Sequence, residues 1–175
     1  FSADHDGDAE IYVISQDGTG LTRLTDNPRA DDRDPAWSPD GSTIVFASDR
    51  DGQGQFELYR MRPDGTDVVR LTDAAGSSFQ PTWSPDGQYI IFVSDRDRDA
   101  DLYMMRADGS DERLLTLEDD AEQRNPSWSP DGRWVAFSAN QDSDNFRLFL
   151  LDPFGDTILP VTASDGDDLD VAWVP

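Results

Sequence analysis

Three observations predict an all-β protein of four-stranded antiparallel sheets stacked in series, the blades of a β-propeller. The pentapeptide Trp-Ser-Pro-Asp-Gly occurs at 37–41, 83–87 and 128–132, and Trp173-Val174-Pro175 starts a truncated fourth copy, so the tryptophans are spaced by 46, 45 and 45 residues. A period in this range marks an array of similar supersecondary units. Each period breaks at Gly, Pro and Asp into four short segments rich in β-branched and aromatic residues. Several segments are apolar on both faces, such as Ile90-Ile91-Phe92-Val93 and Leu148-Phe149-Leu150-Leu151, which requires neighbours on both sides of the sheet. A solenoid is the second architecture compatible with that period.

The elements follow in order within each repeat. Strand A carries the Trp, at Pro35–Ser38, Pro81–Ser84, Pro126–Ser129 and Val171–Val174. The Pro-Asp-Gly after it in three copies is turn chemistry: Pro presets φ, Asp bonds nearby backbone and Gly accepts positive φ. Strand B is Thr43–Ser48, Tyr89–Ser94 and Trp134–Ala139; strand C is Glu10–Ser15, Glu57–Arg62, Asp101–Arg106 and Arg147–Asp152. Asp17-Gly18, Asp64-Gly65 and Asp108-Gly109 turn into strand D, which ends in Thr25, Thr72, Thr116 and Thr162; the fourth copy turns on Phe154-Gly155 instead. The expected organisation is one domain, 1–175, with repeats at about 1–36, 37–82, 83–127 and 128–172, and 173–175 starting a shared blade.

The ends carry a further expectation. Phe1–Gly7 matches Phe46–Gly52, so the chain begins inside a repeat, as a mature, trimmed or excerpted chain. The six residues that separate Pro39 from Phe46 are missing between Pro175 and Phe1, and the terminal blade is expected to combine strands from both ends. Three arrangements fit: a lone four-bladed ring, a homodimer forming an eight-bladed ring, and an excerpt of a longer propeller.

Composition narrows the function. The 175 residues hold 37 acids, only five of them Glu, against 14 basic residues, all Arg, for a net charge of −23. That balance argues against nucleic acid, whose phosphates need a basic stripe, and against anionic membrane surfaces. Salt adaptation and a GC-rich genome both produce such a bias. There is no Cys, hence no thiolate chemistry or disulfide, and no apolar run approaches the ~18 residues of a membrane span.

The repeated WSPDG, apolar strand, SDRDG, (D/E)LY.M, DG and RLT resemble the Pro-Asp, WD40-like repeat of TolB-type β-propellers, over nearly the whole chain. The resemblance implies an interaction module like the periplasmic envelope protein of that family, or a non-catalytic propeller of the kind found in prolyl-oligopeptidase-type and tricorn peptidases. It implies a periplasmic or extracellular location. This chain departs from the pattern in having four repeats rather than six or more, and in Asn140-Gln141-Asp142-Ser143 and Arg147 of its fourth hairpin.

Strand topology assigns the charge to places. The B–C hairpins and D–A loops leave the sheets at one end and hold 23 of the 37 acids, with six Arg. An acidic loop face for a basic protein partner is therefore the leading expectation. Alternation in Asp4-x-Asp6-x-Asp8-x-Glu10 and Asp95-x-Asp97-x-Asp99-x-Asp101 directs carboxylates to one side of an extended loop, with Asp49, Asp51, Asp142 and Asp144 in the matching hairpins. Such a set suits Ca²⁺, which takes six to eight oxygens; the other reading is that each Asp closes its hairpin through backbone N–H groups. A structural, Ca²⁺-stabilised repeat of a larger or self-assembling extracellular protein is the alternative function, and a regulatory propeller of a peptidase or glycan-active enzyme the second. Catalysis is not expected: His5 is the only His, there is no G-x-S-x-G elbow and no Lys. The repeated Trp are read as inter-blade packing, and Arg50 and Arg96 as partners of local acids.

Overall fold

The computed structural model describes residues 1–5, 7–51, 54–116, 121–140, 145–155, 157–163, 166–169, 171 and 173. Among them there are fifteen strands and no helix. The chain forms two compact units, Phe1–Pro81 and Thr82–Pro175.

In the first unit, β1 (Ser2–Asp4), β2 (Ala9–Val13) and β3 (Thr22–Arg23) form a three-stranded antiparallel sheet. Beside it, β4 (Asp32–Trp37), β5 (Ile44–Ser48), β6 (Glu57–Met61) and β7 (Val69–Arg70) form a four-stranded one in sequence order. The two sheets share an apolar core of Ile11, Ile44, Phe46, Tyr59 and Met61, with Leu24 packed against it. Gly65 in the β6–β7 turn approaches the first sheet so closely that a Cβ would lie 2.6 Å from the Leu24 carbonyl oxygen, and its φ is +82°. Only Gly fits there.

β8 (Ser78–Trp83) carries the chain into the second unit, whose sheets are ordered β11-β10-β9-β8 and β12-β13-β14-β15. Its remaining strands are β9 (Tyr89–Ser94), β10 (Asp101–Arg106), β11 (Arg113–Leu114), β12 (Gln123–Trp128), β13 (Val135–Ala139), β14 (Arg147–Leu151) and β15 (Ile158–Pro160). Stacked ring pairs Phe92–Tyr103 and Phe137–Phe149 join the middle strands of the two sheets at centroid distances of 5.9 and 5.7 Å. The all-β class, the four-stranded blades and the order A-B-C-D are as the sequence predicts. A fourth strand for the first sheet, expected from 170–175, falls mainly on residues outside those described.

Strand A differs from its sequence reading. It begins three residues before each Pro, and the pairing of β4 with β5 slips one residue between Arg33 and Ala36, as β12 with β13 does between Arg124 and Ser127. The extra residues are Asp34 (φ 52°) and Asn125 (φ 53°), with Gln80 (φ 51°) at the same place in β8. A bulge lets a strand carry Pro, which has no N–H for the ladder; the Pro therefore lies inside the strand rather than at its border.

The Trp-Ser-Pro-Asp-Gly turns repeat one hydrogen-bond pattern. Ser38 Oγ donates to Asp40 Oδ1 at 2.6 Å and accepts from Thr43 N–H at 3.0 Å, and Gly41 closes the turn at φ +68°. Ser84–Asp86 and Ser129–Asp131 match at 2.6 and 2.7 Å. The Ser is as much part of the turn as Pro-Asp-Gly. The Trp are not uniform plugs: Trp128 is 8% exposed, but Trp37 is 46% exposed.

Candidate functional site

Within each unit the B–C hairpins and D–A loops meet at one end of the sheets. Phe56 N–H donates to Ser77 Oγ at 3.2 Å, and Phe146 N–H to Asp167 Oδ1 at 2.9 Å. Ala9 N–H donates to Asp31 Oδ1 at 2.7 Å, and Asp31 N–H passes on to Asp49 Oδ1 at 2.8 Å. The acidic end is thus built as two layers, one buried and one wet.

The buried layer starts at the acid that opens strand C. Glu57 receives Arg70 Nη2 at 2.8 Å, Thr72 Oγ1 at 2.5 Å and Ala74 N–H at 3.0 Å, while the same Thr72 oxygen accepts Leu58 N–H at 2.8 Å. Glu10 repeats this with Arg23, Thr25 and Asn27 at 2.7, 2.5 and 2.8 Å. The design erodes along the chain. At Asp101 the matching strand-D position is Leu114 rather than Arg, and Thr116 stands 3.4 Å away. In the fourth repeat Arg147 replaces the acid, and among the described residues the Thr162 side chain keeps its bond from Leu148 N–H at 3.0 Å alone.

A second buried pair supports the hairpin. Asp32, fully buried, takes Arg50 Nη2 on both oxygens at 3.0 Å. The Arg50 guanidinium lies over the Tyr59 and Phe46 rings at 4.7 and 5.1 Å. Arg96 repeats this over Tyr103 at 4.2 Å, donating to Ser94 Oγ at 2.9 Å and pairing with Glu112. Both arginines pair with acids of their own unit, as the sequence suggests. Asp51 accepts Tyr59 Oη at 2.8 Å, and Asp97 accepts Tyr103 Oη. Burial, then the carboxylate, push both phenols above their ordinary range.

The wet layer is what remains. Asp26 and Asp73 side chains are 81% and 90% exposed, and Asp4, Asp34, Asp51, Asp95, Asp97 and Asp167 are exposed. Counting Asp32 with this surface overstates it, because Asp32 is buried against Arg50; Glu10, Glu57 and Asp101 are likewise buried. Formal charge in sequence carries no signal of burial, and only the spacing of Thr and Arg on strand D hints at these pairs.

Several of the alternate hairpin acids accept hydrogen bonds within the fold. Asp4 Oδ1 accepts Gly7 N–H at 2.8 Å, Asp8 Oδ2 accepts Arg29 N–H at 2.9 Å, and Glu10 turns into the sheet. Asp49 and Asp51 serve Asp31 and Tyr59 as above; Asp97 serves Tyr103, between exposed Asp95 and half-buried Asp99. Asp6, Asp142 and Asp144 lie outside the described residues. Among those described, no three His, Cys, Asp or Glu gather as metal ligands. His5 is exposed and meets Tyr12 edge-on at 5.3 Å.

A family model described as TolB beta propeller domain matches residues 1–175. Among solved structures, the chain is similar to a putative TolB from Agrobacterium tumefaciens, with 28% identity and a TM-score of 0.77 over 89% of this chain and 57% of that one. TolB from Acinetobacter baumannii gives 21% identity and a TM-score of 0.80 over 96% of this chain and 41% of that one. A puromycin-hydrolyzing peptidase of Mycobacterium tuberculosis aligns at 12% identity and a TM-score of 0.70, over 94% of this chain and 30% of that one. The chain spans about half the length of the two TolB structures, and at the lower identities the likeness is one of fold.

Proposed function

Because the chain belongs to the TolB beta propeller domain family, we propose that it is a non-enzymatic binding module that meets a basic protein surface through the acidic loop ends of its units. The supporting observation is the two-layer end. The buried acids are used in holding the loops, whereas the side chains of Asp26 and Asp73, beside Arg23 and Arg70, are 81% and 90% exposed, and Asp95, Asp97 and Asp167 are exposed at the loop end of their own unit. A predominantly acidic loop end in each unit, on a chain of net charge −23, steers a cationic partner and speeds its encounter. Family membership favours the periplasm or the cell exterior.

The test is capture of partners from a cell-envelope fraction by the wild type, by a rim variant (Asp26→Asn, Asp73→Asn, Asp97→Asn) and by a control variant at the opposite end (Asp64→Asn, Asp67→Asn, Asp111→Asn). Salt-sensitive capture that the rim variant loses and the control retains supports the reading. Equal capture by all three overturns it.

A further inference from the structure

The β14–β15 turn breaks the pattern of its repeats. Positions that hold Asp-Gly at 17–18, 64–65 and 108–109 hold Phe154-Gly155 here. Phe154 is 60% exposed, yet it is fixed in place. Phe154 and Gly155 N–H donate to Asp152 Oδ1 at 3.0 and 3.1 Å, and Arg113 Nη2 donates to the Pro153 carbonyl at 2.6 Å. Its ring meets Tyr89 edge-on at 5.3 Å and lies 6.3 Å from the Trp128 ring.

Phe154 is one wall of a cavity of about 150 Å³ whose other walls are Ser84, Pro85, Asp86, Trp128, Asp131 and Gly132. That is about five water volumes. Two successive Trp-Ser-Pro-Asp-Gly turns meet here: a Cβ on Gly132 would lie 3.7 Å from Pro85 Cδ, so Gly leaves the space open. Trp128 is 8% exposed and its indole N–H has no hydrogen-bond partner among the described residues. Asp86 and Asp131 accept their turn bonds on Oδ1, from Ser84 and Gln88 and from Ser129 and Arg133. Among the described residues, Asp86 Oδ2 accepts no hydrogen bond. Asp131 Oδ2 is 3.7 Å from Arg133 Nε, in a pair exposed 58% and 80% that water largely screens.

We propose that this cavity is a docking slot for an arginine side chain of a partner polypeptide. A guanidinium is planar, stacks on aromatic faces and binds carboxylates through its fork of donors. Two aromatic walls, a proline and two carboxylates present those complementary features together. The long-range field of a chain at −23 favours the same charge. The carbonyl of the incoming residue supplies an acceptor for the indole N–H. The slot lies at the turn end of its sheets, opposite the loop rim, so it stands or falls independently of the rim reading.

The experiment is an amide-and-indole NMR titration of the 175-residue chain at about 0.15 M salt. The probes are acetyl-Gly-Arg-Gly-amide and its citrulline counterpart, which has the same shape without the charge. The arginine peptide is expected to give saturable shifts at the Trp128 indole and at the Gly132 and Phe154 amides. Phe154→Ala and Asp86→Asn are each expected to weaken it about fivefold or more. Shifts confined to the loop rim, equal binding of the citrulline peptide, or unchanged affinity in a folded variant would overturn the proposal. Each variant's spectrum reports its fold; should one variant be perturbed, the other and the wild-type peptide comparison decide.

Discussion

Thr72→Val is the sharpest perturbation of the buried layer. The hydroxyl of Thr72, 2% exposed, donates to Glu57 Oε2 at 2.5 Å and accepts from Leu58 N–H at 2.8 Å. Valine fills the same volume and does neither. Losing a bond to a charged group costs about 1.5–3 kcal/mol, and a buried N–H left without an acceptor about 1–3 kcal/mol. Because the two share one oxygen they are not fully additive, so the expected loss is about 2–5 kcal/mol. The fourth repeat supplies an internal control. Among the described residues the half-buried Thr162 hydroxyl meets Leu148 N–H alone, at 3.0 Å, because Arg147 stands where the acid was. Thr162→Val is expected to cost about 1–2 kcal/mol. Urea unfolding gives the totals through the midpoint at unchanged slope, and hydrogen exchange at Leu58 and Leu148 amides reads each unit locally. A cost under about 1 kcal/mol at Thr72, or an equal cost at Thr162, would refute the two-bond account.

Three further outcomes are expected. Arg50→Ala should cost about 3–5 kcal/mol, because Asp32 is left buried without its cation, whereas Arg62→Ala, from a pair exposed 66% and 64%, should change stability by about 0.5 kcal/mol or less; equal losses would remove the distinction between the layers. The Asp40 carboxyl should titrate at about 2 rather than 3.8, held down by the Ser38 hydroxyl and then by Ser42. A depressed folded-state pKa stabilises above 3.8 and loses that contribution as pH falls toward about 2, so Ser38→Ala should raise the carbon-detected midpoint, and an unmoved midpoint would contradict the assignment. Calcium should leave the melting temperature unchanged if the turn-closing reading holds, since Asp4, Asp8 and Asp49 already accept backbone N–H groups and Asp51 a tyrosine hydroxyl; a rise with calcium that a chelator reverses would support the metal reading of the hairpins instead.

Much of the fold is legible in the period of the tryptophans and in the turn residues between them. Pro39-Asp40-Gly41 and its two copies specify a local geometry that depends on nearest neighbours alone. Apolar runs such as Ile90–Val93 report burial on both faces directly. These are short-range properties, so the chain's own order encodes them.

What only the tertiary structure decides is the fate of the charges. Glu57 and Asp73 are both acids near the same end of one sheet, yet one is 4% exposed and the other has a side chain 90% exposed. The difference is set by Arg70 and Thr72, which reach Glu57 only once β7 pairs with β6. Desolvation and its compensation depend on partners distant in sequence. For the same reason the bulge at Asp34, and the slot that Phe154 closes over two turns more than twenty residues away, follow from the packing of one strand on the next. Sequence determines the repeat and its turns; packing decides which of its carboxylates hold the fold and which face water.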